Sequence, residues 1–146
     1  MGIMQRPLQA ADLFAQKKEV EAWTAVAKGY TKVGDAEQAR KAWQQVQRGA
    51  ASSGDHTTAQ VAEINGAFTW VIEGQASKAV ALLKKITQTP ANGETAGLSW
   101  FVLGQAYVKM KDVRRAREAF EKARTFVPPD HPVARQASAA LTGLRE

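Results

Sequence analysis

The 146-residue chain contains no cysteine, which excludes disulfides, thiolate metal sites and a cysteine nucleophile together. Histidine is almost as scarce. His56 and His131 are the only two, each in a polar, turn-rich stretch, with no second ligand-type residue at helical spacing beyond the adjacent Asp55 or Asp130. Both read as surface residues. No Walker-type loop, GxGxxG turn or HExxH helix occurs, so no catalytic residue, metal or cofactor is expected. Long apolar runs are missing too. Phe68-Thr-Trp-Val-Ile72 is far too short to cross a bilayer, and no membrane insertion is expected. The opening Met1-Gly-Ile-Met-Gln-Arg-Pro7 is not a basic segment followed by an apolar one, so it does not read as a secretory signal. The lean is cytoplasmic, although the abrupt start leaves room for a removed targeting segment.

What is present favours helices. Hydrophobic residues make up 45% and charged residues 23%, the balance of a folded domain. Ala, Val and Leu dominate, and Pro and Gly fall mostly at isolated junctions. The net charge of +6 is unevenly placed. Residues 1–73 hold eight Lys and Arg against eight Asp and Glu, whereas residues 74–146 hold twelve against six. Such asymmetry suits an acidic partner or nucleic acid, but a solvated basic helix face is the plainer reading.

The chain resembles itself. At an offset of 77, Trp23 meets Trp100, Ala27 meets Gly104, Tyr30 meets Tyr107, and Ala39-Arg-Lys-Ala-Trp43 meets Ala116-Arg-Glu-Ala-Phe120. A weaker copy lies between, 40 residues after the first: Trp70 takes the Tyr30 column, Gly74 that of Gly34, Ala79 that of Ala39 and Leu83 that of Trp43. Glu63 stands there in place of Trp. Trp23, Val26, Ala27 and Tyr30 recur at three and four residues, which makes one apolar helix face. Gly34-Asp35 then stops that helix and caps the next. Small residues on both helices, Ala27, Ala67 or Gly104 against Ala39, Ala79 or Ala116, let the axes approach closely, with aromatics filling the space around them. The pattern predicts antiparallel helix hairpins built to stack.

Trp100-Phe-Val-Leu103-Gly104-Gln-Ala-Tyr107, followed by Ala116, Phe120, Ala123 and Pro128, resembles the tetratricopeptide consensus in nearly every signature column. The resemblance covers about residues 20–130. It implies an all-α, right-handed superhelical solenoid of three helix-turn-helix repeats, about 20–53, 60–93 and 97–130, closed by a capping helix within 131–146. Residues 1–19 form an N-terminal segment, read as a short amphipathic helix bearing Leu8, Leu13 and Phe14, with Pro7 near its start. It could cap the first repeat, lie in the groove or complete an upstream repeat. Residues 49–56 and 89–94 read as surface loops between repeats.

The resemblance also implies a non-catalytic scaffold whose first helices line a concave, ligand-holding groove. In the first copy that face reads Glu21, Thr24, Lys28, Thr31 and Lys32. In the second it reads Val61, Ile64, Asn65, Phe68 and Ile72, and in the third Leu98, Phe101, Gln105, Val108 and Lys109. The expected groove is therefore apolar on repeats 2 and 3, with Lys28, Ile64, Asn65, Phe68, Leu98, Phe101, Gln105 and Val108 as candidate contacts for a protein or peptide. Burial within the chain or against a second copy, which would make a homo-oligomer, is the competing reading. Family members that bind chaperones hold a terminal carboxylate with Lys, Asn, Asn, Lys and Arg. Only Asn65 matches here, while Thr24, Lys28, Leu98 and Val102 depart, so an Hsp70 or Hsp90 tail is disfavoured. Lys111, Arg114 and Arg115 lead a basic surface on the third repeat. Nucleic acid is disfavoured as its partner, because Trp100 and Phe120 are committed to core columns and cannot stack on bases.

Overall fold

A computed structural model describes the backbone of residues 2–144 and the side chains of residues 11–144. Among the described residues all regular structure is helical. The helices are α1 (Gly2–Val33), α2 (Ala36–Ser52), α3 (His56–Ile72), α4 (Ala76–Gln88), α5 (Gly93–Lys109), α6 (Val113–Thr125) and α7 (Pro132–Gly143). They pair as α1 with α2, α3 with α4 and α5 with α6, each pair packs on the next, and α7 lies against α5 and α6. This is a helical-repeat solenoid.

The hairpin turns follow the repeat columns. Gly34 and Gly74 carry φ of 81° and 82°, and Lys111, in the same column, is forced to 61°. Asp35 and Asp112 then accept the backbone N–H groups of Gln38 and Arg115, satisfying a donor left unpaired at the helix start. Gln75, in the same position before α4, makes no such bond.

Two expected loops are shorter than read. Helix α2 continues through Gly49 to Ser52 because Ala50 is buried, so the first connector is only 53–55, with Asp55 capping α3 through Thr58. In the second connector, Asn92 and Thr95 form a reciprocal capping box that already places Gly93 and Glu94 in α5. The Gln60 side chain holds this connector from α3, donating to the Thr89 carbonyl at 3.0 Å and accepting from Ala91 N–H at 2.7 Å.

The N-terminal segment is no separate short helix. It continues unbroken into α1, 32 residues long, about 48 Å at 1.5 Å per residue. Leu13 and Phe14 are exposed and do not cover the groove; Pro7 and Leu8 lie outside the described side chains.

Burial is uneven along the stack. The large cluster runs from α3 to α7 around Ile64, Leu83, Leu103, Tyr107 and Phe120. Repeat 1 is held by a smaller one: Ala27, Ala39, Ala42, Trp43, Val46 and Ala62. Trp43 donates from Nε1 to Thr31 Oγ1 at 3.1 Å, so Thr31 faces α2 and not the groove. Trp23 and Tyr30, expected in the core, are 40% and 37% exposed. Their counterpart Tyr107 is buried because α4 packs on α5, and no described helix packs on that side of α1.

Arg40 ties repeat 1 to repeat 2. It binds Glu73 at 2.9 Å and Thr69 at 3.1 Å, and its guanidinium lies 3.6 Å from the Trp70 ring centroid. Lys78 approaches the same ring at 4.4 Å.

An apolar cleft as candidate functional site

Helices α3 and α5 run side by side, and their last turns present Phe68, Val71 and Ile72 beside Gln105, Val108 and Lys109. Phe120 of α6 forms the floor, and the end of α7 adds Ala140, Gly143 and Leu144 as a wall. Together they enclose a cleft of 620 Å³, within the roughly 300–1,000 Å³ typical of ligand sites. Its polar groups, the Gln105 amide and the Lys109 ammonium, both come from α5.

Of the residues expected in the groove, Phe68, Gln105 and Val108 line this cleft. Ile64 does not: it is 0% exposed and belongs to the main core. One turn before Phe68, its side chain is already covered by the neighbouring helices. Phe101 and Leu98 are half-buried against the core, Phe101 with its ring 5.6 Å from that of Phe120. Asn65 is half-buried. Lys28 is exposed on α1, away from the cleft. Ala140, Gly143 and Leu144 were missed, because α7 reads in sequence as a cap for an edge. Leu144 at the end of its apolar spacing was the available signal.

The basic surface is largely self-compensated. Arg115 pairs with Asp112 at 3.1 Å and Arg114 with Glu118 at 3.6 Å, both in solvent, while Lys111 is exposed at the turn. Alternating signs on one helix face give no continuous track for a phosphate backbone. His131 has a structural role that the sequence reading overlooked: its Nδ1 accepts from Val133 N–H at 3.1 Å, capping α7. Among the described residues no group of three or more His, Asp or Glu is placed to hold a metal ion, and no helix is long and apolar enough to cross a membrane.

Neither the curated proteins nor the solved structures include a match to this chain. Residues 98–123, spanning most of α5 and α6, match the family model described as Tetratricopeptide repeat, so this stretch carries the repeat that its aromatic and small-residue columns resemble.

Proposed function

We propose that the chain is a non-catalytic interaction module that receives an apolar segment of a partner protein in the cleft between α3, α5 and α7. Tetratricopeptide repeats generally mediate protein–protein interaction. The observation that carries the finer reading is the cleft itself: 620 Å³ in volume, walled by Phe68, Val71, Ile72, Val108 and Leu144. Each apolar anchor buried there would contribute about 1.5–3 kcal/mol. Gln105 and Lys109 at one edge supply a hydrogen-bonding pair and a positive charge, which favour an acceptor or carboxylate beside the apolar residues. Selection from a random displayed-peptide library tests this. The wild type should enrich peptides with two or more large apolar residues, and Phe68→Asp with Val108→Asp should lose them while the far-ultraviolet circular dichroism stays unchanged. Equal binding by the variant would overturn the reading.

A second reading, self-assembly, is favoured by the open face of α1. Trp23, Val26 and Tyr30 line a shallow groove with Ala42 of α2, in columns that are half-buried at Trp100 and buried at Leu103 and Tyr107 in repeat 3. Light scattering across a concentration series separates the readings: a dimer abolished by Trp23→Glu with Tyr30→Glu supports it, and a monomer throughout removes it.

A further inference from the structure

The middle repeat departs from its neighbours at two positions one turn apart. Repeats 1 and 3 carry Trp23 and Trp100 in one column and Val26 and Leu103 in the other, whereas repeat 2 has Glu63 and Gly66. In repeat 3 these columns are filled: Leu103 is buried and Trp100 is half-buried against the core. In repeat 2 the Gly66 column is empty and the other holds only the exposed Glu63. A Cβ added at Gly66 would meet nothing within 4 Å. Over Glu63 and Gly66 a pocket of 220 Å³ opens between α2, α3 and α4, walled by Trp43, Ala62, Ala67, Trp70, Leu82 and Ile86. At 100° per residue, Glu63 and Gly66 lie on the side of α3 away from Phe68 and Ile72, so this pocket is separate from the cleft described above.

Its chemistry is specific. The walls are mostly apolar, with Gln44 and Gln47 of α2 among them, and the volume exceeds the roughly 150 Å³ that accommodates a benzene ring in an engineered apolar cavity. Leu82 is left exposed beside it, as expected where an aromatic lid is missing. At the mouth stands Glu63, which forms no hydrogen bond or ion pair among the described residues. The cation nearest in the lining, Arg40, is already engaged by Glu73, Thr69 and Trp70. The site therefore offers an aromatic-sized, mostly apolar space with an exposed carboxylate at its edge that no described side chain pairs.

We propose that this socket binds a tryptophan side chain presented by a partner segment, the indole entering the columns that Trp100 and Leu103 fill within repeat 3 and its N–H donating to the Glu63 carboxylate. Repeat 3 specifies the occupant, since the same columns there are completed by the chain's own Trp100, half-buried against the core, and Leu103. An aliphatic side chain would give Glu63 no donor in exchange for any water it displaces. A lysine would satisfy Glu63 but leave the apolar walls wet.

The test is a titration of the ¹⁵N-labelled chain with N-acetyl-tryptophanamide, followed by amide and indole N–H chemical shifts, with the leucine and lysine analogues in parallel. The tryptophan probe should move Gln47, Glu63, Gly66 and the Trp43 and Trp70 indoles, and the other two should not. Gly66→Leu fills the column from within and should abolish these shifts at unchanged helicity. Glu63→Gln keeps the walls and should bind about tenfold more weakly, the loss of a hydrogen bond to a charged group. Three outcomes overturn the proposal: no shifts at these residues in the wild type, equal shifts in Gly66→Leu, or stronger shifts with the lysine or leucine probe. Shifts confined to Phe68, Val108 and Leu144 would likewise overturn it, since they place the probe in the other cleft.

Discussion

Single positions within the repeat columns show how strictly local chemistry is obeyed, and where it is not. Asp35 and Asp112 cap α2 and α6, while Gln75, in the same column, leaves α4 without a side-chain cap. Gly34 and Gly74 take the left-handed turn freely, while Lys111 must adopt a φ of 61° with a Cβ in place. Restoring each column should therefore stabilise the fold. Gln75→Asp and Lys111→Gly are each expected to gain about 1 kcal/mol, read as an upward shift of the urea midpoint at constant slope. Glu63 carries a pH signature. Partial desolvation beside the apolar socket pushes its carboxyl above the ordinary value of 4.5, so the folded state holds that proton more tightly than the unfolded chain. Its contribution then favours the fold at low pH and is lost as pH rises from about 4.5 through the raised pKa. Glu63→Gln should melt higher than the wild type at neutral pH, with the gap closing on acidification. Asp55, whose carboxyl is lowered by its hydrogen bonds to Thr58, has the opposite pH dependence. It is common to both proteins and cancels in the comparison.

At the scale of the helix, two glycines in first helices of the repeats make opposite demands. A Cβ at Gly104 would lie 2.6–2.9 Å from the ring atoms of Phe120, itself buried, whereas one at Gly66 meets only open space. Gly104→Ala sets an overpacking cost of about 1–3 kcal/mol against a helix-propensity gain of at most about 1 kcal/mol. It should destabilise. Gly66→Ala keeps only the gain and should raise the melting temperature by several degrees; thermal melts of the pair check both signs. Most of the element plan was legible in the sequence, because aromatic and small residues at fixed spacing define helix faces without reference to a partner. The extension of α2 over Gly49–Ser52 was not. Those residues have the composition of a loop, and only the tertiary burial of Ala50 makes them helical. The cleft was half legible. Periodicity places Phe68 and Val108 on the right faces, but whether Ile64 is covered, and that α7 returns Leu144 to the same space, depends on the three-dimensional path of the chain. Trp23 and Tyr30 teach the same point from the other side, since an apolar face announces itself in sequence while its cover does not.

For the molecule as a whole, the two core clusters imply an uneven stability. The cluster spanning α3 to α7 contains the large buried residues Phe120, Ile64, Leu83 and Leu103, whereas repeat 1 rests on Trp43, Val46 and four alanines. In a solenoid each repeat is supported only by its neighbours. The amides of α1 and α2 should therefore exchange with deuterium well before those of α5 and α6, with Arg40 marking the boundary. Uniform protection along the chain would contradict this.

The two ends of the stack also differ in kind. The α1 end shows Trp23, Val26 and Tyr30, but α7 turns Arg135, Gln136, Ala139 and Thr142 to solvent. A polar face of that sort does not match the aromatic face of α1, so direct stacking of that face on the outer side of α7 has no complementary apolar surface. Two copies meeting through their α1 faces would pair like with like around a two-fold axis, which closes after two chains and stops.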